Sequence, residues 1–291
     1  MYGTIYECIK NTISQFEEDR FFFGAYRPPL LAFLSAHGER LFLLKEMVSP
    51  EHLMPADILP DAESVIVFFL PFGERIIESN REGTDASPEW ARAYILTNEL
   101  IAQISGELES LLAAGFEGAS YRAGKIPATG NFDQERLISN WSHRHIAFLA
   151  GLGSFGVNNM LITSSGSCGR LGSLVTSMPM PPETAESSQF SQARGSEGRM
   201  VQKPLAGPFR AEEPVSANTQ ERCLWKRGAG CLRCIKRCPV NAYSVSEGKI
   251  IFDRHRCYAQ CLKNAERYQK IGLADVCGKC LTGLPCSTGA S

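Results

Sequence analysis

The residues with the most evident chemistry are cysteines. Nine of the eleven lie between Cys223 and Ser291: Cys223, Cys231, Cys234, Cys238, Cys257, Cys261, Cys277, Cys280 and Cys286; only Cys8 and Cys168 stand apart. Cys231-Leu-Arg-Cys234-Ile-Lys-Arg-Cys238-Pro239 reads C-x2-C-x3-C-P, most of the bacterial ferredoxin run. Its short spacings let successive thiolates face one iron–sulfur cubane and turn the cysteine before proline toward a second. Cys257, the pair Cys277-Gly-Lys-Cys280 and Cys286 supply the rest of two four-thiolate sites. Ferredoxin logic groups Cys231 and Cys234 with Cys223 and Cys286, and Cys238 with Cys257, Cys277 and Cys280. Gly228 stands where the bacterial pattern has a further cysteine, and Cys223 is the substitute. Cys261 is left over, four residues after Cys257 and on the same face of a helix. Paired C-x-x-C units also build zinc sites, so a zinc-stabilised binding module is an alternative. Disulfides do not suit a reducing compartment.

Charge follows the cysteines. Residues 223–291 carry a net +8 and the preceding residues −9. Lys226, Arg227, Arg233, Lys236 and Arg237 lie among the first cysteines, where they would offset anionic clusters and raise their potentials. A nucleic-acid patch is the competing explanation of the same charge.

The elements that must position these groups can be read in outline. Ile5, Cys8, Ile9, Ile13 and Phe16 share one face of a helix over 5–18, which makes Cys8 a core residue. Ser64–Phe72 reads as a buried strand. Ser87-Pro88 reads as an N-cap followed by a first-turn proline, opening a long helix that carries Leu96, Leu100, Ile104, Leu108 and Leu111 and stops at Gly115. Further strands are expected at 160–163 and 171–176, and Cys168 as a small buried thiol. Residues 1–181 therefore form an α/β or α+β domain, 182–222 a polar linker or insertion, and 223–291 a ferredoxin-like module. No run approaches the roughly 20 apolar residues of a membrane span. No secretory signal is visible, so a cytoplasmic location without membrane attachment is expected.

Two glycine runs join helix to strand: Ala150-Gly151-Leu152-Gly153-Ser154-Phe155-Gly156-Val157-Asn158-Asn159-Met160-Leu161-Ile162-Thr163, and Gly166-Ser167-Cys168-Gly169-Arg170-Leu171-Gly172-Ser173. Followed by the ferredoxin-type cysteines, they resemble the epoxyqueuosine reductase-like family, whose members carry A-G-L-G-x-x-G-x-N-x-x-L-I, then G-S-x-x-x-L-G, then two [4Fe–4S] clusters. The likeness covers about 140–180 and 223–291. It implies a nitroreductase-like N-terminal domain that binds cobalamin and a two-cluster module that reduces it. Gly151, Gly153, Gly156 and Asn158 would line the corrinoid pocket. Members of the family place an Asp–Ser/Thr–x–Pro segment before the glycine loop, its Asp the proton donor. Here the equivalent stretch, Arg136-Leu137-Ile138-Ser139-Asn140-Trp141, has no Asp. The donor role then passes to Asp133, Glu135, His143 or His145, with His143 first, because histidine titrates near neutrality.

The expected function is an iron–sulfur oxidoreductase that passes electrons through two clusters to a corrinoid for a reductive reaction. An electron carrier such as ferredoxin or flavodoxin would be the donor. Longer family members have a helical-repeat tail not found here, so a small molecule or modified nucleoside is expected as substrate ahead of tRNA. The alternative is a ferredoxin-type activating protein that reduces a partner's corrinoid.

Overall fold

A computed structural model describes residues 1–116, 118–126, 132–180 and 221–289. Most of the linker expected over 182–222 lies outside the described residues.

The centre of the N-terminal part is an antiparallel sheet in the order β1-β2-β8-β3, formed by Leu30–Ser35 (β1), Ser64–Pro71 (β2), Gly169–Thr176 (β8) and Ala123–Lys125 (β3). Every residue of β2 is buried, and the period-2 alternation of a strand divides them between two cores. Ile66, Phe68 and Leu70 face α1 (Tyr2–Asp19) and α5 (Pro88–Ala114), packing with Ile5, Ile9, Ile13, Leu100, Ile104 and Leu108. Val65 and Val67 face the opposite side, where Trp141 and the helix α6 (His143–Leu149) supply Ile146, Ala147 and Leu149. The sheet is thus covered on both faces, which explains why SVIVFFLP is apolar without interruption. The Ser87 hydroxyl caps α5 by accepting from the Trp90 amide at 3.0 Å.

Five further α-helices and three hairpins are found among the described residues. The helices α2 (Leu43–Met47), α3 (Pro55–Ile58) and α4 (Glu74–Ser79) are short. The hairpins are Phe132–Asp133 with Ile138–Ser139 (β4, β5), Gly153–Phe155 with Leu161–Thr163 (β6, β7), and Tyr243–Ser246 with Lys249–Phe252 (β9, β10). In the cysteine-rich part, α7 (Arg233–Lys236) and α8 (Arg254–Arg267) precede an irregular run to residue 289. Asp253 caps α8 by accepting from the Arg256 amide at 2.9 Å.

The cysteine-rich part is held to the sheet domain through its own backbone. Asn80 Nδ2 donates to the Cys277 carbonyl (3.0 Å), Asn158 Nδ2 to that of Cys280 (2.8 Å), and the Ser167 amide to that of Cys286 (3.0 Å). Arg27 donates to the carbonyls of Phe72, Ser165 and Thr288. Among the described residues no helix is long and apolar enough to cross a membrane.

Candidate functional site

Cys223, Cys231, Cys234 and Cys286 line one pocket, partly open to solvent, together with Gly156, Val157 and Asn158. Each comes from a different place: Cys223 ahead of the turn Trp225–Ala229, Cys231 before α7, Cys234 within it, and Cys286 from the end of the chain. Burial, reinforced by neighbouring thiols, pushes Cys234 up to about 12 and Cys286 up to about 11. Such thiols surrender their protons only to a bound cation, so metal loading of this pocket releases protons.

Cys238, Cys257, Cys277 and Cys280 form a second group. Burial raises Cys277 to about 11 and raises Cys280 further, each aided by the charges of Cys257 and Cys238. Cys261 donates its S–H to Cys257, which lowers the Cys257 thiol and raises its own. The Ala242 amide donates to Cys238 Sγ at 3.2 Å. The groups adjoin, since Cys234 of the first also acts on Cys280 of the second. Among the described residues no three His, Cys, Asp or Glu side chains converge on a point that would hold a single ion. The first four cysteines instead ring a space.

One orphaned polar atom bears on what the second group would hold. Trp90 is 2% exposed, yet its Nε1–H has no hydrogen-bond partner; an unpaired buried donor costs about 1–3 kcal/mol. The indole lies against Gly278, between Cys277 and Cys280: a Cβ there would stand 2.5 Å from Trp90 Nε1. A donor left free beside a pair of thiols fits an iron–sulfur cluster, whose sulfurs accept hydrogen bonds.

The histidines singled out in the sequence are brought together with a third. His52 Nδ1 donates to the Leu53 carbonyl (2.7 Å) and its Nε2 accepts from the Ser142 amide (2.9 Å), which fixes a neutral tautomer. His52 stacks on Trp141 at 5.8 Å between ring centroids. Ser142 Oγ pairs with His145 Nδ1 at 2.7 Å, and Ser173 Oγ with His143 Nδ1 at 2.8 Å. Ser173 also accepts from Trp141 Nε1 (3.0 Å), so its own proton is free for His143. Burial, then Arg170 and His52, lowers His143 to about 4; burial, then Arg144 and His52, lowers His145 to about 3. Both are neutral at pH 7, unlike the unshifted histidine expected of a proton donor. Asp133 is exposed on the β4–β5 hairpin, where Oδ1 accepts from the Glu135 and Arg136 amides, both at 2.9 Å. That hairpin meets α8 through Phe132 and Tyr258, 5.8 Å between centroids.

The glycine run is divided among tasks of the fold. Gly151 is exposed just past the end of α6, with φ +80. Gly153 is buried where β6 pairs with β7, and a Cβ there would lie 2.3 Å from the Ile162 carbonyl oxygen. Gly156 and Asn158 line the cysteine pocket. Gly153 leaves room for the backbone across the hairpin, whereas Gly151 has open space around it and serves its positive φ. Cys8 packs against the apolar core and Cys168 is fully buried, as expected.

Sequence reasoning passed over two cations. Arg144, between the two histidines, donates to the Asn159 carbonyl (2.6 Å), has no carboxylate partner among the described residues, and acts on Cys257 and Cys280. Lys279 is 1% exposed and donates to the carbonyls of Asn80 (3.0 Å) and Glu82 (2.6 Å). The second cysteine group is thus flanked by a buried lysine and a half-buried arginine. The signal was available in the Cys277-Gly-Lys-Cys280 lysine and in the arginine of Trp141-Ser-His-Arg-His145.

No protein-family model matches the sequence, and no curated protein matches it. Solved structures do. An epoxyqueuosine reductase has 19% identity over 96% of this chain and 66% of its own, at a TM-score of 0.48. An epoxyqueuosine reductase with an epoxyqueuosine-modified tRNA stem loop has 17% identity over 97% of this chain and 65% of its own, at 0.42. A catabolic reductive dehalogenase has 15% identity over 89% of this chain and 30% of its own, at 0.51. The chain spans somewhat less than two thirds of the reductases' length and under a third of the dehalogenase's. Its mixed α/β fold is similar to that of the reductive dehalogenase.

Proposed function

We propose that this chain is an iron–sulfur oxidoreductase in which two [4Fe–4S] clusters, held by Cys223, Cys231, Cys234 and Cys286 and by Cys238, Cys257, Cys277 and Cys280, carry electrons toward a corrinoid. The observation that carries the proposal is the grouping of the cysteines. Three thiols from residues 223–234 and the distant Cys286 line one pocket, and Cys277 and Cys280 each feel Cys257 and Cys238 beside it. Interleaved ligands of this kind place two clusters within easy reach for electron transfer.

The chain's own residues do the positioning. Asn158 joins the glycine run to the second group through the Cys280 carbonyl and also lines the first pocket. Tyr243 donates to the Asn158 carbonyl at 3.0 Å and fixes that junction from the other side. A cluster supplies one-electron steps at tunable potential. The neutral His143 pairs with Ser173 through Nδ1, and its Nε2 has no hydrogen-bond partner among the described residues.

The corrinoid is the acceptor implied by the family resemblance. Gly153 packs on the Ile162 carbonyl and Gly151 lies outside the cysteine pocket, which supports as a second reading the delivery of electrons to a partner's corrinoid. An electron carrier such as ferredoxin or flavodoxin would be the source in either case. A modified nucleoside or small molecule would be the substrate in the first, with tRNA a further possibility that binding to an unmodified stem loop would test. Anaerobic reconstitution tests the shared part: about eight irons per chain, two cubanes, and broad thiolate-to-iron absorption are expected. Zinc at stoichiometric level without iron would defeat it. Cobalamin titration then separates the readings: a saturable one-to-one spectral change supports the first, and none the second.

A further inference from the structure

Trp90 presents a feature that the electron-transfer reading leaves unused. Its amide and its carbon framework are fully committed: the amide donates to the Ser87 cap, and the ring packs edge-on against Phe72 at 5.2 Å between centroids. Cys280 and Val276 pack against the same apolar cluster. Only the indole N–H is without a partner, and it lies at the Cys277-Gly278-Lys279-Cys280 turn. Gly278 sits at φ +72, and any side chain there would enter the indole. The turn and the ring are therefore built to lie together, with backbone in place of a side chain at the point of approach. A tryptophan used only as apolar filler needs no such accommodation; Phe would pack against Phe72 without stranding a donor.

We propose that the Trp90 indole N–H donates a hydrogen bond to a sulfur of the cluster held by Cys238, Cys257, Cys277 and Cys280, and thereby raises its reduction potential above that of the cluster in the first pocket. The inference rests on the two-cluster reading. The physical basis is that reduction adds negative charge to the cluster, so a donor aimed at its sulfur stabilises the reduced state more than the oxidised one. The half-buried Arg144 and the buried Lys279 act in the same direction, as positive charges near Cys257, Cys280 and Cys277. The first pocket is differently furnished. There the Glu221 carboxylate accepts from the Cys223 amide at 2.8 Å and faces Lys226 at 3.9 Å, while Arg227, Arg233 and Lys236 are exposed, so solvent screens the cations expected to raise this potential. Electrons entering the protein accordingly come to rest on the second cluster. Trp90 is a positioning and tuning residue, with no contact to substrate implied.

The test is an EPR-monitored redox titration of the reconstituted full chain, comparing wild type, W90F and F72L. Two separate potentials are expected in wild type. W90F should retain its iron and lower only the higher potential, by roughly tenfold in the reduction equilibrium, or about 59 mV for a one-electron couple. F72L disturbs the same packing without removing a donor and should leave both potentials in place. Equal potentials in wild type, an unchanged higher potential in iron-replete W90F, or an equal fall in F72L would each overturn the inference. Should W90F fail to hold iron, pulsed EPR of a W225F protein labelled with 15N-indole tryptophan decides the matter. A 15N coupling to the reduced cluster supports the bond, and its absence overturns it. Iron far below eight per chain in wild type would overturn the two-cluster reading itself, before any potential is measured.

Discussion

At the scale of single residues, burial decides more than identity. His143 and His145 were attractive as proton donors because free histidine titrates near pH 6.5. In the structure, burial and nearby positive charge hold them at about 4 and about 3. The consequence for stability has a definite sign. The unfolded chain takes up protons at these histidines below about pH 6.5, while the folded chain resists until its lowered values. Their contribution is therefore complete above pH 6.5 and falls as pH drops through the window toward 4 and 3. The slope is about 1.4 kcal/mol per pH unit for each histidine. Urea unfolding measured from pH 7 to pH 4.5 should show this decline, and H145N should flatten it; an equal slope in the variant would contradict the assignment. The paired thiols offer a second prediction. Cys261 is the donor to Cys257, so C261S should keep its full complement of iron while C257S loses about half. Iron analysis after anaerobic reconstitution checks this, and the reverse pattern would make Cys261 the ligand.

At the scale of elements, the seams between them matter most. Lys279 places its ammonium on the carbonyls of Asn80 and Glu82, just past the end of α4, and Thr282 Oγ1 adds a bond to Asn80 at 2.9 Å. A cation at a helix C-terminus satisfies carbonyls that the helix cannot. K279M keeps the apolar stem but strands these acceptors. It should cost about 1–3 kcal/mol and weaken iron retention in the second group, read by denaturant unfolding and by iron content after desalting. Elements with an apolar rhythm were legible in the sequence: the helix expected over 5–18 runs Tyr2–Asp19, the strand at 64–72 is β2, and Ser87-Pro88 opens α5. Beyond the Cys257–Cys261 spacing, the helix α8 gave no apolar signal, for a physical reason. Its buried face is Gln260 and Asn264, which bond to Asp85, Val276 and Ala86 instead of joining an apolar core. Hydrophobic periodicity cannot register a face made of amides. The glycine run also serves the fold: Gly153 is small to admit the Ile162 carbonyl across a hairpin, a requirement that no local spacing reveals. The cysteine motifs could be read because ligand spacing is a local property. Trp90 and Arg144 were not, since only the fold brings residues so distant in sequence to Cys277 and Cys257.

At the scale of the whole molecule, the two halves carry opposite net charge, −9 and +8, and are joined by polar bonds at their boundary. Asp85 gathers Lys263, Arg267 and Gln260 of α8, each at 2.9 Å. Tyr94 donates to Asp275 at 2.8 Å, and Tyr268 to the Ala86 carbonyl at 2.6 Å. The approach of Cys286 is closest to the sheet. Ser167 donates to its carbonyl through both amide and hydroxyl, and the Cys168 amide donates to the Ser287 carbonyl at 3.3 Å, immediately before β8 begins at Gly169. Residues 286–287 are thus tied to the segment that leads into β8, the strand between β2 and β3. A cluster bound by Cys286 would hold that segment in place, and binding to the folded state alone raises stability. Removing iron should therefore loosen the sheet domain as well as the cysteine-rich part. Trp141, bonded to Ser173 on β8, reports on the sheet once Trp90 and Trp225 are replaced by Phe. Its fluorescence melting temperature should fall on chelation by about 2–4 °C for each kcal/mol of coupling. A Trp141 transition that stays put while the iron chromophore disappears would show that the two halves fold independently, and that the bonds at Ser167 and Cys168 join them without transmitting stability.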